Sequence, residues 1–187
     1  VYAYLAAGRP KDAYEFYWKL HGTNPLFQEA KRSPGLSELR ALRDEGRKLP
    51  GHCVVGALNM GLGDEIRAFQ MMPQIAACFE QVTFLCDRRL QPFLSRPPEG
   101  VRFQSLTDEP VSDFDNTFTR YRIDKPGFDL IRSADYALNI TQFYAVFRAS
   151  PDDFPSSGQH WHADERQVQR WTDWLAEGPA QPAVGLV

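Results

Sequence analysis

The residues best suited to chemistry lie in one short stretch, Asn59-Met60-Gly61-Leu62-Gly63-Asp64-Glu65. It follows the apolar run HCVVGAL (52–58) and precedes IRAFQMMPQIAACF, so two glycines and two acids fall at a strand-to-helix junction. In an open parallel sheet, ligands bind beyond the carboxyl ends of the strands, which is where this junction would lie. Gly61 and Gly63 permit positive φ and let a backbone or ligand come close. The helix expected to begin near Asp64 offers free N–H groups to an anion. A phosphate loop is excluded because no Gly-Lys-Ser/Thr follows. A dinucleotide fingerprint fails because Ile66 stands where a third small residue is needed. Asp64 keeps two readings. It caps the helix by accepting backbone N–H bonds, or it faces a cleft and takes a proton from an attacking hydroxyl.

Other reactive residue types carry weaker patterns. His160 and His162 flank Trp161, and with no third ligand in view they read as surface loop. Arg88 and Arg89 read as surface, with a phosphate contact as the alternative. Trp18, Trp171 and Trp174 sit at helical spacing and read as packing. Cys53, Cys78 and Cys86 form an odd set without CxxC spacing, so they read as buried free thiols of a reducing cytoplasm rather than metal ligands.

The elements that must position the glycine turn can be read from periodicity. YLAAGRPKDAYEFYWKL gives a helix end, a turn at Gly8 to Pro10, and a second helix with Ala13, Phe16, Tyr17 and Leu20 on one face. This resembles the inside of a tetratricopeptide repeat. A helix capped by Ser37 follows in LSELRALRDEGRKL. Strands are expected over 52–58, 81–86 and 101–106, with a further one at 135–141. Helices are expected over 64–79, kinked at Pro73 and inward-facing at Ile66, Phe69 and Ala76, and over 88–96 and 164–177. Strand and helix alternate, which predicts a parallel, right-handed, doubly wound sheet: an α/β, Rossmann-like fold behind a short helical segment.

Bulk properties set bounds. The 187 residues are 43% hydrophobic and 24% charged with net charge −3, which argues against a broad nucleic-acid footprint. Residues 1–50 hold 9 Lys/Arg against 6 Asp/Glu, and residues 151–187 hold 2 against 6, both read as solvated surface. No apolar run approaches the ~18 residues of a spanning helix, and the first residues do not read as a signal peptide. The chain opens at Val1 inside a helical pattern and closes in PAVGLV, so it reads as a piece of a longer protein.

In order, AYEFYWKL (13–20), Gly61-Leu62-Gly63-Asp64, Met72-Pro73 and ERQVQRWTDWL before PAVGLV resemble tetratricopeptide-repeat-linked glycosyltransferases. These are related to bacterial heptosyltransferases and to O-linked N-acetylglucosaminyltransferases. The resemblance implies a GT-B fold, with an acceptor domain facing a donor domain. Residues 1–20 would end a repeat region, 21–51 would bridge, and 52–163 would form the acceptor domain. Residues 164–187 would be the linker helix and first strand of the donor domain. It implies inverting, metal-independent transfer from a nucleotide-sugar donor to a protein or saccharide acceptor, with no further cofactor. A protein partner is expected through upstream repeats. Asp64 would be the general base, and Gly61, Leu62 and Gly63 would sit close to the donor phosphates. Asn139, Thr141 and Gln142 of NITQFY would bind acceptor hydroxyls, against a bland reading in which Thr141 caps a helix. The alternative for the whole chain is an inactive binding or scaffold module of the same fold.

Overall fold

The structure, a computed structural model, describes residues 2–21, 25–56, 62–90, 97, 99–106, 123–153 and 165–177. Helices α1 (Tyr2–Ala6) and α2 (Pro10–His21) meet at a turn where Gly8 takes φ 69°, a conformation that costs glycine little. After a 3-10 turn at Pro25–Glu29 come α3 (Leu36–Glu45) and β1 (Leu49–Gly56). Helices α4 (Leu62–Phe69) and α5 (Met72–Ala76) lead to β2 (Phe79–Asp87), and β3 spans Val101–Leu106. Then follow α6 (Lys125–Ser133), β4 (Tyr136–Asn139), α7 (Ile140–Phe147) and, past a 3-10 turn at Pro151–Asp153, α8 (Glu165–Glu177).

The four strands form one sheet in the order β3-β2-β1-β4, and every pairing is parallel. A parallel sheet needs cover on both faces, and its strands read as apolar runs for that reason. Cys53 and Val55 of β1, Phe84 and Cys86 of β2 and Leu138 of β4 point to one face, against α3, α4, α5 and α7. Val54, Leu85 and Ala137 point to the other, against the 25–29 turn and α6. Phe69 meets Phe84 and Phe103 edge-on, and Phe79 meets Phe143 in the same way. Each ring so buried contributes about 2–3 kcal/mol of transfer free energy.

Several boundaries differ from the sequence reading. The helix expected over 64–79 is broken in two, because Pro73 lacks an N–H and its ring crowds the carbonyl a turn earlier; it begins α5 instead of kinking one helix. The inner face of α4 carries Glu65, Ala68 and Phe69, whereas Ile66 is 36% exposed. On α2 the inward stripe runs through Pro10, Ala13, Tyr14 and Tyr17; Ala13 and Tyr17 lie on it as expected, whereas Phe16 and Leu20 are exposed. That stripe rests on α7, where the rings of Tyr14 and Tyr144 stack at 5.1 Å. Ser37 caps nothing: Gly35 is the N-cap of α3 and gives no side-chain bond. One helix pair is present here, and a tetratricopeptide array is not shown. Trp18 packs on the core, but Trp171 and Trp174 pack edge-on to each other and remain 59% and 63% exposed. The expected helix at 88–96 lies mostly outside the described residues, as do His160, His162 and the expected strand at the carboxyl end.

Candidate functional site

Strand β1 continues outward on one side to β2 and β3, and on the other side to β4. The direction of winding therefore reverses between β1 and β4, and the crevice beyond their carboxyl ends is the place where such sheets bind ligands. Gly56 and Asn139, the last residues of the two strands, are register partners at that point. The first turns of α4 and α7 flank them.

Leu62, Gly63 and Asp64 are the first three residues of α4; Gly61 lies outside the described residues. Gly63 is helical and shows no positive φ, so the freedom expected of it is not used. Open space remains instead: among the described residues nothing lies within 4 Å of where a Cβ would stand on Gly63. Asp64 is half exposed, and its Oδ1 accepts a bond from Arg67 Nη2 at 3.0 Å. An acid in the first turn is favoured by the helix dipole. Because the helix starts two residues earlier than expected, Asp64 stands inside the first turn and not at its cap.

Glu65, the next residue, was missed by motif reasoning. It turns inward, is 6% exposed, and its Oε2 accepts the backbone N–H of Asp87 at 3.1 Å, tying α4 to the end of β2. Burial pushes its carboxyl up to about 7, with Asp87 adding to the rise and the Asp87 N–H and Arg89 opposing it. The signal was there in the i, i+3, i+4 phase shared with Ala68 and Phe69. Beside it, Arg89 holds Asp87 down at about 2 through hydrogen bonds from its guanidinium and backbone.

Asn139, Thr141 and Gln142 come together in a capping box. The Asn139 Oδ1 accepts from the N–H and the hydroxyl of Thr141, and the Gln142 Oε1 accepts the N–H of Asn139. All three are buried, at 2%, 8% and 2% exposure. The cap residue is Asn139 rather than Thr141. Replacing Asn139 with alanine will cost about 1–2 kcal/mol of stability, read as a lower urea midpoint, because the Thr141 donors lose their acceptor inside the core. Asn139→Asp, which keeps the acceptor, will cost less.

A third wall comes from α2. The Tyr144 hydroxyl is buried without a hydrogen-bond partner among the described residues, and burial pushes it up to about 12, with the charges of Arg67, Asp64 and Arg148 also felt there. Its stacking partner Tyr14 is raised for the same reason. Arg148, buried below it, donates to Gln74 Oε1 and to the Phe147 carbonyl, and burial lowers its pKa. The three thiols are unsuited to nucleophilic work: burial raises Cys78 to about 11, Cys86 to about 12, and Cys53 well above its ordinary value.

Comparison with known proteins corrects the family reading. The chain is 26% identical to Protein FlbA of Caulobacter vibrioides over 191 residues, which is 98% of this chain and 29% of that protein. The chain thus spans under a third of the length of this curated relative. No family model matches the chain, and no solved structure does. The resemblance to tetratricopeptide-repeat-linked glycosyltransferases is therefore not upheld.

Proposed function

We propose that this chain supplies the acceptor wall of a glycosyl-transfer site. A sugar passes from a nucleotide-sugar donor to an acceptor hydroxyl, with Asp64 as general base. The observation that carries this reading is the place of Asp64: a half-exposed carboxylate in the first turn of α4, beside the β1/β4 reversal. No family membership stands behind it. An acceptor hydroxyl within reach of the Asp64 oxygens loses its proton as its oxygen attacks the anomeric carbon, and the nucleotide leaves with the bonding pair. Attack opposite the leaving group inverts the anomeric centre. Among the described residues, open space beside Gly63 would admit the donor phosphates, and the α4 N-terminus favours their charge. The capping box fixes the start of α7 and with it the rim on which an acceptor would rest. The donor would be held by a partner domain outside this chain.

In the described residues no helix is long and apolar enough to cross a membrane. The buried free thiols support a reducing, cytoplasmic setting.

The test is incubation of the full-length protein with a panel of nucleotide sugars and candidate acceptors, reading release of the nucleotide product. One donor is expected to give turnover that needs acceptor. A full-length protein that binds a nucleotide sugar and releases nothing across the panel would leave a binding module in place of an enzyme.

A further inference from the structure

We propose that the sheet carries a second ligand site at its opposite, amino end, which takes the carboxylate or phosphate group of a small molecule. The site is a cavity of about 410 Å³ lined by His52 of β1, Gln81 and Thr83 of β2, Gly100 and Arg102 at the start of β3, and Leu130 of α6. That volume is in the usual range for small-molecule sites.

The residue types on this face are the first argument. Val54, Leu85 and Ala137 point to the α6 side of the sheet and are fully buried. Two residues nearer the amino end, the same face changes character. His52 precedes Val54, Gln81 and Thr83 precede Leu85, and Arg102 is the register partner of Thr83. A patch needing only helical cover would continue the apolar pattern. Instead it presents hydrogen-bonding groups around a hollow.

Their chemistry points to an anion. Among the described residues the cavity lining contains no acid. The Arg102 side chain has no hydrogen bond or ion pair among the described residues, and its guanidinium offers the paired donors that fit a carboxylate or phosphate. His52 Nε2 lies 2.8 Å from the Thr83 hydroxyl, so one of the two groups holds the other in place on the cavity wall. The nearby acids are already engaged. Asp135 accepts from the His52 N–H and from Lys31, and Glu80 accepts from the Gly51 N–H. Gly51 holds φ 97° with the Asp135 carboxylate 2.4 Å from the site of a Cβ, so only glycine lets Asp135 reach across to His52 there. Burial, with Arg102 adding to it and Asp135 opposing, keeps the His52 imidazole below its ordinary range, so at neutral pH the ring acts as a neutral donor or acceptor.

The test is titration of the isotopically labelled full chain with inorganic phosphate and, separately, with acetate, followed by the amide signals of His52, Thr83 and Gly100. At least one probe is expected to give saturable shifts at these residues. Arg102→Met will weaken the binding by about tenfold or more, while Asp64→Asn, at the other end of the sheet, will leave it unchanged. Saturation by phosphate alone assigns a phosphoryl ligand, and by acetate alone a carboxylate. Shifts that never saturate with either probe, or an affinity that Arg102→Met changes by less than about twofold, would overturn the site. Because Asp64 is not involved, this outcome is independent of glycosyl transfer.

Discussion

Replacing Glu65 with glutamine is expected to stabilise the protein at pH 8 by about 1–2 kcal/mol and to change little at pH 4.5. The sign follows from the direction of the shift. In the unfolded chain this carboxyl titrates near its ordinary 4.5, and in the folded protein burial holds it at about 7. Below 4.5 it is protonated in both states and contributes no difference. As the pH rises from 4.5 to 7 the unfolded state loses its proton first, so stability falls. Above 7 the folded protein bears the full cost of an ionised, largely buried carboxylate, and the loss levels off. The whole shift would correspond to roughly 3 kcal/mol. Water at the edge of the site and relaxation of α4 reduce it, hence the smaller figure. Glutamine keeps an oxygen to accept the Asp87 N–H while removing the charge. Urea denaturation of both proteins at the two pH values reads the effect. A variant equally destabilised at both would show that Glu65 contributes through its shape and hydrogen bond, not through its ionisation.

Most of the sheet was legible in the sequence, because parallel strands buried on both faces must be apolar and short. The strand at 101–106 matches β3 to the residue. Strand β1 begins earlier than its apolar run, since the irregular register between Leu49 and His52 and the positive φ of Gly51 admit residues that strand patterning does not favour. Helix phase was harder to read. On α2, Ala13 is buried as expected, yet Phe16 and Leu20, core residues by type, are exposed, and packing against α7 selects the stacked Tyr14. On α4 the same error hid Glu65, an acid on the inner face that no hydrophobic pattern would choose. Of the two glycines of the expected turn, Gly61 lies outside the described residues, and Gly63 is helical, with open space beside it among the described residues rather than unusual backbone. For Asn139, Thr141 and Gln142 the capping alternative was open in the sequence, and the structure has them satisfy one another, with Asn139 rather than Thr141 as the cap.

The larger expected effect belongs to Asp64. The loss of a general base lowers turnover by about 10²–10⁴-fold. Asparagine preserves the size of the side chain and an oxygen for the 3.0 Å bond from Arg67, so Asp64→Asn will fold as the wild type does. Half exposed and paired one turn along its own helix, Asp64 contributes little to stability through that ion pair. The loss will therefore appear in kcat, since a general base acts as the acceptor proton leaves in the transition state. The measurement that decides the matter is kcat for sugar transfer by the full-length protein, wild type against Asp64→Asn, under saturating donor and acceptor. A fall of about 100-fold or more with an unchanged unfolding midpoint is the predicted result. Equal rates would remove Asp64 from the chemistry and contradict the proposed site.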